Sequence, residues 1–222
     1  MKYLEVLQKC PLFAKISVQD LASMLHCLGA RERWYAAGES IMYAGEPAEA
    51  VGLVLAGRVQ VAFTEAGGER TLITEARPGD IFAETFACAP GAHKVLPAAV
   101  TAASDSVVLL MDYQRIITVC PSACTFHSRL IENMLAVLAD KNLLLNRRLG
   151  HLAKRTTREK LLSYLHEQAQ LAGSTSFDIP FDRQELADYL GVERSAMSAV
   201  LSRLQAEGVL ETKRNHFVLK EK

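Results

Sequence analysis

The sequence predicts an α+β protein in three successive parts. These are a β-roll (jelly roll) of short strands within residues 1–122, one long helix over 123–154, and a terminal module of helices closed by a hairpin over 155–222. Three observations carry this prediction. Glycines at 38, 45, 52, 57, 67, 68, 79 and 91 cut the region up to Met111 into short apolar stretches, the punctuation of an all-β barrel or roll. Branched apolar residues recur every seven positions from Ile131 to Leu152. Between Phe181 and Leu219, two capped helical stretches flank a glycine turn and run into a hairpin pattern.

The elements follow in order. Residues 1–30 carry helical clusters at Tyr3-Leu4-Val6-Leu7 and Leu21-Met24-Leu25-Leu28, expected to lie against the roll. Strands are expected at Ser40–Tyr43, Val51–Leu55, Arg58–Phe63, Thr71–Ile73 and Val107–Met111. In the long helix, Ile131, Leu138, Leu145 and Leu152 each have a partner three residues earlier: Ser128, Leu135, Asn142 and Leu149. This is a heptad seam, and an asparagine at a seam position fixes register and strand number at a cost in stability. Ile131, Leu135, Leu138, Asn142, Leu145 and Leu149 are therefore expected to join two parallel copies. Leu130, Met134, Val137, Leu143 and Leu144 form a second apolar side, expected to pack on the roll. The competing reading is a helix buried within one subunit. Thr156 and Glu159 form a capping pair that opens a new helix at about 157–169, which puts a hinge at 153–157.

Asp182 can cap the next helix, Arg183 to Leu190, with Glu185 capping back. Leu186 and Leu190 face inward, and Ala187 lets another helix cross closely. Gly191 supplies a left-handed turn and Val192 plugs the corner. A second helix, about Arg194 to Glu207, buries Met197, Val200 or Leu201, and Leu204. Its outer face is Arg194, Ser195, Ser198, Ala199 and Ser202, short and polar with one long donor near the N-terminus. Such a face fits the major groove, where N-terminal residues of a recognition helix reach base edges. The turn Lys213-Arg214-Asn215-His216 between Val209-Leu210 and Phe217-Val218-Leu219 reads as a basic wing. The expected DNA-binding set is Arg183, Gln184, Arg194, Ser195, Ser198, Ala199, Ser202, Lys213 and Arg214, with Arg203 a further phosphate contact. The alternative is a helical hairpin that touches no DNA, or one that docks a protein partner.

Composition bounds these readings. The 222 residues are half hydrophobic and carry zero formal net charge, enough for one sizeable core and one smaller one. Residues 1–150 hold 14 basic against 15 acidic residues, and residues 151–222 hold 11 against 10. Nonspecific nucleic-acid affinity should be modest, with phosphate contacts local to the terminal module. No apolar run nears the roughly 20 residues of a membrane span, and the start of the chain lacks a secretory pattern. Five scattered cysteines fit a reducing cytoplasm better than a disulfide framework. No phosphate-binding glycine loop, Ser-His-Asp arrangement or carboxylate pair suggests an enzyme.

Roll, long helix and winged helix-turn-helix in this order resemble the Crp/Fnr (cyclic-AMP receptor protein and fumarate-nitrate regulator) family of bacterial transcription factors. The closest motifs are Ala37-Gly38-Glu39-Ser40-Ile41 through Leu55-Ala56-Gly57-Arg58-Val59, Pro78-Gly79-Asp80-Ile81-Phe82-Ala83-Glu84, and Arg183-Gln184-Glu185-Leu186-Ala187. The resemblance implies a cytoplasmic homodimer on palindromic promoter DNA, in contact with RNA polymerase. In such a dimer a signal at the junction of roll and helix, here an unknown small-molecule effector, reorients the DNA-binding domains. It also implies an effector site near Glu84, Thr85, Lys94, Leu96, Leu143 and Leu144.

Departures from the family pattern narrow this. In the cyclic-nucleotide branch a Glu takes ribose hydroxyls and an Arg-Ser pair takes the cyclic phosphate. Glu84 remains, but the pair falls on Leu96-Pro97. Leucine cannot neutralise a buried phosphate, so cyclic AMP is not the expected ligand; Lys94 or His93 keeps another anion open. The iron–sulfur branch needs a dense N-terminal cysteine cluster, and here only Cys10 and Cys27 stand in that region. No metal site is expected, but Cys120, Cys124 and His127, spaced by four and three, would share a face if helical. That arrangement leaves a redox, haem or metal sensor as the alternative. Cys88 is read as a core residue. On the recognition helix, Ser195 and Ala199 replace a Glu and an Arg that read TGTGA-type or TTGAT-type half-sites. Arg194 could still read guanine, and the Ala199 methyl could meet thymine, so an A/T-richer half-site is expected.

Overall fold

The computed structural model describes residues 2–64, 70–89, 91, 94–118 and 125–220. The chain divides into two compact units, Met1–Ala139 and Asp140–Lys222. The division falls inside the long helix, whose first half contributes to the core of the first unit.

In the first unit, helices α1 (Leu4–Lys9) and α2 (Val18–Cys27) precede strands β1 (Arg31–Tyr35), β2 (Ser40–Met42), β3 (Ala50–Ala56), β4 (Val59–Thr64), β5 (Arg70–Ala76) and β6 (Ile81–Phe82). The short helix α3 (Glu84–Ala87) follows, then β7 (Ala99–Ala102), β8 (Ser106–Asp112), α4 (Tyr113–Ile117) and the long helix α5 (Thr125–Leu152). Two antiparallel four-stranded sheets, ordered β1-β8-β3-β6 and β2-β7-β4-β5, make the roll. The expected strands are all present. β1, β6 and β7 were not foreseen: β1 is polar and mostly exposed, β6 has two residues, and β7 lies in an alanine-rich stretch.

The sheets close on Val51, Leu53, Val54, Val59, Val100, Val108 and Met111, all buried. Glycine is required at position 52, since a Cβ there would stand 2.1 Å from the Phe82 ring. β3 can therefore pass β6 closely only without a side chain at that point. Helices α1 and α2 bury Leu7, Leu21 and Met24 in the same core, as expected. Leu130, Met134 and Val137 of α5 complete it, and Asn133 Nδ2 donates to the Leu12 and Ala14 carbonyls at 2.9 Å.

The second unit contains the rest of α5, then α6 (Thr157–Ala172), β9 (Ser176–Asp178), α7 (Arg183–Leu190), α8 (Arg194–Ala206), β10 (Leu210–Lys213) and β11 (His216–Leu219). The Thr156–Glu159 capping box forms in both directions, at 3.1 and 3.0 Å, and starts α6 where the sequence predicts. A three-stranded sheet, β10-β11-β9, backs the helices. Leu161, Leu165, Leu186, Leu190, Met197, Leu201, Leu204 and Phe217 fill its core. Leu201 is the buried member of the Val200/Leu201 pair; Val200 packs at the margin.

Candidate nucleic-acid interface and effector region

The geometry of the terminal module follows from its caps. Asp182 Oδ1 accepts from the Gln184 and Glu185 amides at 2.7 and 2.9 Å, while Glu185 Oε2 accepts from the Asp182 amide at 2.8 Å. This pins the start of α7. Gly191 then takes φ 58°, in the left-handed region, and turns the chain into α8.

The last turn of α7 is held from outside by residues the sequence reading did not single out. Arg148 Nε donates to the Tyr189 carbonyl at 3.1 Å and its guanidinium lies 5.2 Å from the Tyr189 ring centroid. Lys160 Nζ donates to the Leu190 carbonyl at 3.3 Å. Both cations meet the negative end of the helix dipole, where orphan carbonyls need donors. Beside them His151 is buried, with Nδ1 3.0 Å from Ser163 Oγ and Nε2 2.8 Å from Glu167 Oε2. Charged residues on a helix give no pattern in sequence that tells such anchors from solvated ones.

The outer face of α8 is exposed at Arg194, Ser195, Ser198, Ala199 and Ser202. Two of its hydroxyls are turned back on the helix: Ser198 Oγ donates to the Arg194 carbonyl at 2.9 Å, and Ser202 Oγ to the Ser198 carbonyl at 3.1 Å. With their protons used this way, they face solvent as acceptors.

Arg194 also lines an open cleft of about 620 Å³ with Pro180, Gln184, Arg214 and Asn215. Arg194 and Arg214 thus border one concavity between the helix starts and the wing. The wing itself is anchored rather than loose. Arg214 adopts φ 54° at its tip, and Asn215 Nδ2 donates to the Ile179 carbonyl at 3.2 Å. His216 Nδ1 is 3.0 Å from Asp178 Oδ1. Lys213 and Arg214 remain exposed.

Arg183 behaves differently from the phosphate contact expected of it. One guanidinium nitrogen donates to Thr212 Oγ1 at 2.7 Å, and the group stacks 4.9 Å from the Phe217 ring centroid. Burial lowers its pKa from the ordinary arginine value. These contacts tie α7 to the base of the wing. Gln184 is exposed and donates to Asp188 Oδ1 at 2.9 Å.

In the roll, Glu84 begins α3 almost fully buried and accepts from Thr85 Oγ1 at 3.0 Å. Lys94 Nζ lies 5.4 Å from the Tyr113 ring centroid. Cys88, read as core, is half-buried between α3 and Tyr113; burial pushes its thiol pKa up, and the Tyr113 hydroxyl partly offsets this. Leu96 does not line a ligand region. Its side chain is 2 % exposed in the roll core, and its backbone pairs with Glu46 and Gly45. Leu143 and Leu144 also depart from expectation. They stand 54 and 59 % exposed in the second unit, whereas Leu130 and Met134 are buried in the first. Cys120, Cys124 and His93 lie outside the described residues, while His127 is buried at the start of α5. Among the described residues no group of three or more His, Cys, Asp or Glu could hold a metal ion.

A roll followed by a long helix and a winged helix-turn-helix is the architecture of a DNA-binding transcription regulator. Residues 32–122 match the cyclic nucleotide-binding domain family, and residues 159–222 match the Crp-like helix-turn-helix domain family. The transcriptional activator protein FnrL of Cereibacter sphaeroides is 30% identical over 199 residues, covering 84% of this chain and 75% of that protein. The cyclic AMP receptor protein of Thermus thermophilus is 26% identical, over 90% of this chain and 88% of its own length. In fold, the chain is similar to FixK2 from Bradyrhizobium japonicum, with a TM-score of 0.50 at 24% identity over 86% of this chain and 93% of the other. The chain belongs to the Crp/Fnr family of transcriptional regulators.

Proposed function

We propose that this regulator works as a homodimer on two-fold symmetric promoter DNA, and that its signal is not cyclic AMP. The observation that carries the reading is the outer face of α8 and the cleft beside it. Arg194 and Arg214 border the cleft, and the acceptor hydroxyls of Ser198 and Ser202 lie along the helix. Arg194 reads a guanine through a bidentate contact. Ser195, Ser198 and Ser202 accept from base amino groups, and the Ala199 methyl meets thymine. Lys213 and Arg214 neutralise phosphates from the wing, Gln184 steadies the backbone contact at the start of α7, and Arg183 supports the wing from behind. Dimerisation runs along α5 through Ile131, Leu135, Leu138, Asn142, Leu145 and Leu149. Three of these leucines are about three-fifths exposed in the single chain: Leu135, Leu145 and Leu149. Two half-sites one helical turn apart need such a pairing.

The case against cyclic AMP rests on Leu96 and Pro97. Neither can supply a cation, and Leu96 is committed to the core. An effector of other chemistry would be taken up near Glu84, Thr85 and Lys94. The paired helices carrying Leu143 and Leu144 would then pass the signal to the DNA-binding domains. No described helix is long and apolar enough to cross a membrane. The cytoplasm, with RNA polymerase as partner, is the setting this function calls for.

Binding-site selection with the wild type and Arg194→Ala tests the reading. The wild type should return a palindrome. The variant should lose preference at one symmetric pair of positions, about 1–3 kcal/mol of discrimination per half-site, and keep its nonspecific affinity. An unchanged consensus would show that α8 does not read bases through Arg194. Calorimetric titration with cyclic AMP should give no binding tighter than roughly millimolar; a saturable micromolar isotherm would refute the ligand argument.

A further inference from the structure

Residues 153–156 join α5 to α6, and the capping pattern that follows α5 marks them as a hinge. Side chains of α5 bridge that joint in two directions. Toward the turn that leads into α8, Arg148 Nε and Nη2 donate to the Tyr189 and Asp188 carbonyls at 3.1 and 3.4 Å, and the guanidinium lies over the Tyr189 ring. Leu152 packs on the same turn, so closely that a Cβ at Gly191 would stand 3.2 Å from its Cδ2. Toward α6, His151 is buried with Nδ1 3.0 Å from Ser163 Oγ and Nε2 2.8 Å from Glu167 Oε2. Water alone can satisfy the carbonyls at a helix end. Ordering a guanidinium over two carbonyls and burying an imidazole beside it cost side-chain freedom. What they secure is one fixed angle between the end of α5 and the helix-turn-helix.

We propose that Arg148 and His151 are positioning residues that set the spacing of the two DNA half-sites. Arg148 stands between Leu145 and Leu149, both about three-fifths exposed and both in the seam of the proposed homodimer. The stretch of α5 that pairs the copies therefore also holds the turn at Gly191, three residues before α8 begins at Arg194. With the joint bridged, the seam fixes the distance and twist between the two recognition helices. With the bridges removed, each winged helix turns on residues 153–156 and meets its half-site separately. The face of α8 is the same in both cases, so spacing preference and base preference become separable. The inference rests on the homodimer reading, and neither residue contacts DNA in it.

The test is a binding-site selection on operators whose half-sites are separated by spacers of varied length, followed by affinity measurements on each spacer. One added base pair shifts a half-site by about 3.4 Å and turns it by about 35°. The wild type should favour one spacing and lose at least about tenfold in affinity one base pair away, on the scale of a mismatched base pair. In Arg148→Ala that penalty should shrink several-fold. In the double variant with His151→Gln it should fall to within about twofold, the scatter of changes that do not interact. Arg148→Lys keeps a donor for the carbonyls but loses the planar stack, and should fall between Arg148→Ala and the wild type. Arg147, on Glu167 at 3.3 Å, is the control: Arg147→Ala removes an equal charge, leaves both bridges in place and should match the wild type. Every one of these variants should keep the base preference within each half-site, whereas Arg194→Ala should change it at unchanged spacing.

Equal spacing penalties in the wild type and a folded Arg148→Ala would overturn the proposal. So would an Arg147→Ala variant that relaxes the spacing as much as Arg148→Ala does. Should the double variant fail to fold, Arg148→Ala and Arg148→Lys decide the question in the same assay. A wild type that selects no symmetric site would overturn the homodimer reading and this inference with it. Relaxed spacing in Arg148→Ala beside an unchanged consensus in Arg194→Ala would uphold the positioning role and refute base reading by Arg194.

Discussion

The two halves of α5 both carry leucines, in different surroundings. Up to Ala139, one side of the helix lies inside its own chain, with Leu130 fully buried, Met134 2 % exposed and Val137 8 % exposed, while Leu135 on another side is 62 % exposed. Beyond that point Leu143, Leu144, Leu145 and Leu149 are all more than half exposed, and the buried contacts come from polar residues instead. Arg148 holds the end of α7, and His151 meets Ser163 and Glu167. One helix thus serves as core at one end and as an uncovered apolar stripe at the other. Leu145 and Leu149, four residues apart and both about three-fifths exposed, share one face of the helix, and exposed apolar side chains aligned in this way suit an interface.

The sharpest way to break the contrast is truncation in each half. Leu130→Ala should destabilise the first unit by about 2–5 kcal/mol, the cost of a cavity in a packed core. Chemical denaturation should report the loss equally at low and high protein concentration. Leu145→Ala should instead give a loss that depends on protein concentration, because the partner's surface is what it contacts. If Leu130→Ala were also concentration-dependent, the Leu130 side of the helix would belong to the interface as well.

Arg148→Ala sharpens the polar side of the second half. It leaves the Tyr189 carbonyl without its donor and removes the stack on the Tyr189 ring, for a loss of about 1–3 kcal/mol. Hydrogen exchange should locate the loosening in the last turn of α7 and the turn at Gly191. A variant as protected there as the wild type would mean the contact is idle.

The smallest effect concerns pH. Burial, with Tyr189 and Glu167 nearby, raises the pKa of the Tyr164 phenol well above its ordinary value of 10.0. The folded state therefore holds this proton more tightly than the unfolded chain does. The resulting stability is present below pH 10 and is lost as pH rises from there toward the folded-state pKa. Thermal melts of Tyr164→Phe should fall less steeply above pH 10 than those of the wild type; equal slopes would assign the alkaline loss to other groups.

Much of this was legible in the sequence, and what escaped it has a physical pattern. Local signals transferred well. The Thr156–Glu159 and Asp182–Glu185 pairs form their capping boxes, Gly191 turns left-handed, and Met197, Leu201 and Leu204 line one face. What failed depended on partners distant in sequence. Periodicity alone could not say that Leu130 is buried while Leu144, fourteen residues on and on the same side of the helix, is exposed. Motif alignment set Leu96 in an effector site without showing that its side chain points into the core. Composition marked Arg183 as basic, yet the Phe217 ring and Thr212 claim its guanidinium. His127 was visible in a spacing with two cysteines, but its contact with Cys27, 100 residues away, arises only through folding. The same holds for the buried His151 with Glu167, a hub no motif announces.

The central claim is that the exposed stripe on the second half of α5 is the seam of a homodimer. Sedimentation equilibrium of the wild type and of the double variant Leu145→Glu/Leu149→Glu tests it most directly, with circular dichroism to show that both are folded. Burying four carboxylates against one another across a two-fold seam is prohibitive. The account predicts a dimeric wild type and a folded, monomeric variant that no longer retards palindromic DNA. A double variant that sediments as a dimer with the wild-type association constant would contradict it.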